Sequence, residues 1–96
     1  MITLEEIKLW LKIDYDDEDT TLNSLISSSV AIIKSATGVS IDYIKDTDSE
    51  ELKELYLMTQ RVLINDLYNM RDTENNALIS LYTQLETTYK VVISIG

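Results

Sequence analysis

Apolar positions along this chain recur mostly at helical spacing, and polar caps mark where each run begins. Thr3 with Glu6 fits a capping box, and Leu4, Ile7, Trp10 and Leu11 follow at helical intervals, which predicts a short first helix over residues 4–12. The acidic stretch Asp14-Tyr15-Asp16-Asp17-Glu18-Asp19 suits the positive end of a second helix, placed at about 18–37. Gly38 is the sole internal glycine and stands where a helix ends in a left-handed residue. Residues 39–47 read as a loop anchored by Val39, Ile41 and Ile44. Asp48 with Glu51 forms a second capping box, opening a third helix over about 49–71. After the polar link Thr73-Glu74-Asn75-Asn76, the stripe Leu78, Leu81, Tyr82, Leu85 and Tyr89 predicts a fourth. The expected fold is all-α: a small bundle of about four helices over residues 1–88, with a C-terminal tail at 89–96.

The tail changes character. Lys90-Val91-Val92-Ile93-Ser94-Ile95 is β-branched and reads as a strand, with Tyr89, Val91, Ile93 and Ile95 on one side. No clear partner strand precedes it, so one reading is that the tail adds a strand to another protein's sheet edge. The other is a terminal segment packed on its own bundle, or disordered until a partner arrives.

Two helices carry a second face. Leu22, Leu25, Ile26, Ile32, Ile33 and Ala36 form the core face of the second helix, and Ser24, Ser28, Ala31 and Ser35 form a stripe of small residues opposite. That stripe is either simply solvated or a place where a second subunit approaches closely. The third helix has a core stripe of Leu52, Leu55, Tyr56, Thr59, Val62, Leu63, Leu67 and Met70. It carries a further apolar stripe at Leu57, Ile64 and Tyr68. A helix apolar on two sides is either central in its bundle or a subunit interface.

Composition removes most chemistry. The 96 residues include 17 Asp+Glu against 8 Lys+Arg, a formal charge of -9, with no Cys and no His. No disulfide, thiolate zinc site or thiol nucleophile is available, and the commonest general base is missing. Few cations also argue against direct DNA binding: Lys8 and Lys12 are the basic residues of the first helix, and Lys34 that of the second. Asp14, Asp16 and Glu18 resemble the start of a calcium loop, but Asp19 and Leu25 stand where that loop needs Gly and Glu. The serines lack a base, and there is no glycine-rich phosphate loop. No catalytic, cofactor or metal residue is expected. The chain has no membrane-length apolar run and no signal-peptide pattern, so it reads as a soluble protein of the cytoplasm.

The order of these features resembles one family. Ile2-Thr3-Leu4-Glu5-Glu6-Ile7-Lys8-Leu9-Trp10-Leu11-Lys12-Ile13-Asp14, the acidic turn and the Ala36-Thr37-Gly38 ending are similar to head–tail connector (adaptor) proteins of tailed bacteriophages, also described as phage DNA-packaging proteins. Tyr68-Asn69-Met70-Arg71-Asp72 looks like that family's Tyr-x-x-Arg-acid ending, and Leu78-Ile79-Ser80-Leu81-Tyr82-Thr83-Gln84-Leu85 like its late helix. The likeness spans about residues 2–86, with Glu86 where many members have Arg and a short link after Arg71. It implies a structural protein, made in the host cytoplasm and placed at the head–tail junction of the virion. There it would assemble as a multi-copy ring under the portal protein and extend the DNA channel. It would touch passing DNA without sequence-specific binding and receive a stopper or tail-completion protein.

Under that resemblance, neighbouring protomers are expected to meet through Ser24, Ser28, Ala31, Ser35, Leu57, Ile64 and Tyr68. The portal is expected to hold Tyr89, Val91, Ile93 and Ile95. The competing expectation is an acidic regulatory protein, a DNA mimic or antitoxin-like inhibitor, that sequesters a basic partner.

Overall fold

The structure is a computed structural model that describes residues 2–70 and 75–95, Ile95 by its backbone alone. Arg71 and Asp72 of the Tyr-x-x-Arg-acid motif, Thr73 and Glu74 of the polar link, and the Ile95 side chain lie outside the described residues. Five helices are described: α1 (Leu4–Leu11), α2 (Asp19–Thr37), α3 (Ile41–Asp46), α4 (Glu50–Tyr68) and α5 (Asn76–Ile95). Among the described residues there is no strand.

Local chemistry sets the boundaries. The Thr3 hydroxyl accepts the Glu6 backbone N–H at 3.2 Å, opening α1 as expected. Lys12 closes it at φ 60, and Ile13 N–H reaches back to Lys8 O at 2.8 Å, a Schellman-type ending without glycine. Gly38 ends α2 at φ 80, its N–H on Lys34 O. The expected 39–47 loop contains a short helix, because the Ser40 hydroxyl caps α3 by accepting Tyr43 N–H. The cap of α4 is Ser49, accepting Leu52 N–H, one residue beyond the expected Asp48. α4 stops at Tyr68, and Met70 swings out at φ 56, so it is exposed and no part of the core stripe.

The strand expected at 89–95 is helix. Leu78, Tyr82, Leu85, Tyr89 and Val92 repeat at alternating intervals of four and three, so the helical stripe continues past the point where β-branched residues begin. Tyr89 and Val92 then pack against the main core, and the Tyr89 ring meets Tyr43 edge-on, centroids 5.0 Å apart. Burial on one's own bundle outweighs a strand propensity worth about 1 kcal/mol at most per residue.

Two apolar cores share α4. The larger joins Ile33 of α2, Val39, Ile44 of α3, Leu52, Tyr56 and Leu63 of α4, and Leu78 and Leu85 of α5. The smaller joins Ile2, Ile7 and Ile13 around α1 to Leu22 of α2 and Ile64 of α4, with Leu57 and Tyr68 packed against it. The second apolar stripe of α4 is therefore the seat of α1, and α4 is the central helix.

Polar contacts fix the directions. Tyr68, at the end of α4, donates to Glu18 Oε2 just before α2, at 2.7 Å. Midway, Gln60 Nε2 donates to Ser29 Oγ at 3.0 Å, and that hydroxyl donates to Ile26 O. Asn75, just before α5, donates to Asp66 near the end of α4. α2 and α5 thus both run antiparallel to α4. The bundle measures 45 × 27 × 18 Å; α1 lies at one end of it, and the end of α5 at the other.

Candidate functional site

The sequence-expected residues fall into three groups. Ser24, Ser28, Ala31 and Ser35 are all exposed along the outer side of α2. The core-facing serine of that helix is instead Ser29, fully buried, and Thr37 is buried where Ala36 was expected. Between residues 20 and 41 the only charge is Lys34, so this flank of an acidic protein is nearly neutral.

The second group does not form a surface. Ile64 is fully buried, Leu57 and Tyr68 are half-buried, and all three pack in the α1 core. Ile64 is therefore not free to meet another protomer unless α1 leaves, while Leu57 and Tyr68 keep part of their surface. The pattern seen in the sequence was real, but its partner is within the chain.

The third group is split by the helix. Tyr89 faces inward, whereas Val91 and Ile93 are 54% and 46% exposed at the last turns of α5. The helix brings Ile93 beside Tyr43, Asp46, Thr47, Asp48 and Ser49, forming an open groove with an acidic lip. No alternation survives, because helical geometry separates residues that strand geometry would align.

At the opposite end the acidic turn is a fastening. Lys8 Nζ donates to Asp16 Oδ1 at 2.6 Å and Asp19 Oδ1 at 2.9 Å, while Glu18 accepts the Tyr68 hydroxyl at 2.7 Å. The hydrogen bonds to Asp16 and then Asp19 hold the Lys8 ammonium above its ordinary range, and Lys8 holds the Asp16 carboxyl below its own. The bond to Glu18, followed by burial, pushes the Tyr68 hydroxyl up to about 12. Five residues thereby tie α1, the turn, the start of α2 and the end of α4 together. A lysine occupies the centre of what looked like the beginning of a calcium loop. Among the described residues no group of three acidic side chains converges to hold a metal ion.

Sequence reasoning missed the outer face of this end. Leu9 is 81% exposed, Trp10 42% and Tyr15 50%. The signal was present: Leu4, Ile7 and Leu11 complete the inward stripe of an eight-residue helix. Leu9 and Trp10 are then surplus apolar residues on the other side.

Taken together, this is an α-helical bundle whose distinctive chemistry lies on its surfaces, at two apolar ends and one neutral flank. The family model for phage gp6-like head-tail connector proteins matches residues 1–93, and the chain belongs to that family. Its role is accordingly a structural one among the proteins of phage heads and tails. Neither the curated proteins nor the solved structures offer a match. Among the described residues, no helix is long and apolar enough to cross a membrane.

Proposed function

We propose that the chain assembles as a ring beneath the portal of a tailed phage, after synthesis in the host cytoplasm, and extends the channel through which the genome passes. Family membership carries this reading, and the distribution of apolar and charged surface supports it. The nearly neutral α2 flank, with Ser24, Ser28, Ala31 and Ser35 exposed, lets two acidic copies approach side by side with less repulsion than their acidic segments would meet. Val91 and Ile93 offer the portal an apolar contact at one end of the protomer. Carboxylates turned toward the lumen would repel DNA phosphates and keep the passing genome from sticking.

Because Tyr89 and Val92 belong to the core, removing residues 89–96 would damage the bundle as well as any docking surface. The cleaner test is the double variant V91S/I93S, assayed by native mass spectrometry with the cognate portal. The reading expects wild-type protein to load onto the portal in multiple copies and the variant to fail, with unchanged helical circular dichroism. Equal loading of both proteins would remove the portal-docking assignment.

The DNA-mimic reading finds less support. Carboxylates concentrate at residues 14–19 and 42–54, on either side of a 19-residue helix that is about 28 Å long. A mimic of a phosphate backbone needs a continuous row of charge, which the neutral α2 flank interrupts.

A further inference from the structure

A groove runs between α4 and α5. It is open, about 480 Å³ in volume, and lined by Glu51, Glu54, Leu55 and Met58 of α4 and by Thr83 and Thr87 of α5. Met58 is 53% exposed and Leu55 half-buried, so the α4 side offers apolar surface. Its charge is uncompensated. Glu50 pairs with Lys53 at 3.8 Å and Glu86 with Lys90 at 2.9 Å, whereas Glu51 and Glu54 are exposed and make no ion pair with any described residue.

The outer flank of α2 is complementary to this groove. Its exposed side chains, Ser24, Ser28, Ala31 and Ser35, are small and let another helix pair approach closely. Lys34, one turn from Ala31 on the same helix, is exposed and makes no ion pair with any described residue. It is also the only charge between residues 20 and 41. Helix α5 is poor in charge too, but its lysine, Lys90, is already taken by Glu86.

The two faces point opposite ways. Helix α2 packs on α4 where Ser29 meets Gln60. Ala31 is two residues past Ser29, about 160° round α2, and Met58 is two residues before Gln60, about 160° round α4. Each therefore faces away from the contact between the two helices, on either side of the protomer.

We infer that the α4–α5 groove of one protomer receives the α2 flank of the next, so that copies join head to tail through two different faces. Such a heterologous contact propagates and closes into a ring when the rotation allows, whereas two α2 flanks meeting each other would stop at a dimer. Lys34 of the second copy meets Glu51 and Glu54, while its small side chains cover Met58. With Lys34 opposite Glu54 and the helices antiparallel, Ala31 falls beside Met58, since the two steps along the axes are about 4.5 and 6 Å. This rests on the connector reading and deepens it, by naming what covers the α2 flank.

The chain has no cysteine, so introduced cysteines report the contact cleanly. Both positions of the double variant A31C/M58C are exposed. Mild oxidation on the cognate portal is expected to link it into a ladder of dimers, trimers and longer chains on non-reducing gels. Neither A31C nor M58C alone should dimerise. Adding Lys34→Glu should reduce the ladder about fivefold, the scale of an exposed ion pair lost. Adding E51K/E54K as well should restore it, and D14K/D17K, the same charge change elsewhere, should not.

Dimers from either single variant would overturn the inference, because like faces would then be meeting. So would a ladder unaffected by Lys34→Glu, or equal rescue by the two lysine pairs. The same oxidation is run on free protein at millimolar concentration, and portal loading is read separately by native mass spectrometry. A ladder in free protein without loading keeps this contact and removes the connector reading. Loading without a ladder does the reverse, and the absence of both removes both.

Discussion

The buried pair between α2 and α4 gives a sharp test of how this small bundle is held. Ser29 is 0% exposed and Gln60 1%, and the Gln60 amide donates to the Ser29 hydroxyl at 3.0 Å. Gln60 Oε1 is buried with no hydrogen-bond partner among the described residues. Replacing Ser29 by Ala strips the amide of its one acceptor here and should cost about 1–3 kcal/mol. Replacing Gln60 by Met keeps similar volume and removes the unpaired oxygen. The Ser29 hydroxyl keeps Ile26 O as acceptor at 2.6 Å. Gln60→Met should therefore be neutral or slightly stabilising, within about 1 kcal/mol. In that background, Ser29→Ala should cost no more than about 0.5 kcal/mol, giving a coupling of roughly 1–2 kcal/mol. Urea unfolding followed by circular dichroism reads these values. For a chain of this length the single Ser29→Ala variant should lower Tm by about 5–15 °C. An equal loss from Ser29→Ala in both backgrounds would refute the idea that the pair acts as a unit.

Three further outcomes follow from local geometry. Gly38→Ala should destabilise by about 1 kcal/mol, because φ 80 disfavours a side chain although nothing lies within 4 Å of the added Cβ. Lys12→Gly, at φ 60, should stabilise by up to about 1 kcal/mol, and thermal melts giving both changes the same sign would contradict this. Val92→Asp should destabilise by about 2 kcal/mol or more while Val91→Ser stays within about 0.5 kcal/mol, whereas a tail in strand alternation would set Val91 with Tyr89 and Val92 on the opposite side, reversing the order. The Lys8 clasp predicts a pH window. Asp16 is lowered from 3.8, so its contribution is present above that value and lost as pH falls through the folded one. Lys8 is raised from 10.5, so its contribution is present below that value and lost as pH rises through the folded one. The Tm difference between wild type and Lys8→Met should be largest between those limits and shrink outside them, and a difference that persists unchanged into acid would exclude the clasp.

Helix existence was legible because apolar spacing and caps agree at Thr3, at Gly38 and through most of α4. Where they disagreed, packing decided. β-branched residues after Lys90 suggested a strand, but the interval from Tyr89 to Val92 continues the stripe begun at Leu78, and burial against Tyr43 selects helix. The Leu57, Ile64 and Tyr68 stripe was visible as a second face, yet sequence alone does not distinguish a neighbouring chain from α1 as its cover. Ser29 was hidden among Ser27, Ser28 and Ser35, since nothing in the sequence says that its partner is Gln60, 31 residues away. The outward position of Trp10 was hidden because its spacing from Ile7 and Leu11 fits the inward stripe, which Leu4, Ile7 and Leu11 already fill.

The placement of charge bears on when such a ring would form. Small exposed side chains on α2 offer close approach but little apolar area, so a single protomer–protomer contact should be weak. Like charge on each copy weakens it further at low salt. Anchoring each protomer by Val91 and Ile93 to a common portal would raise the local concentration of neighbours and make the lateral contacts effectively intramolecular. Under the proposed function, acidity and a small-residue flank then work together: they keep free protomers apart and let the ring close on its template. The protein should accordingly sediment as a monomer at micromolar concentration without the portal. A stable ring in its absence would place the assembly energy in the lateral contacts instead.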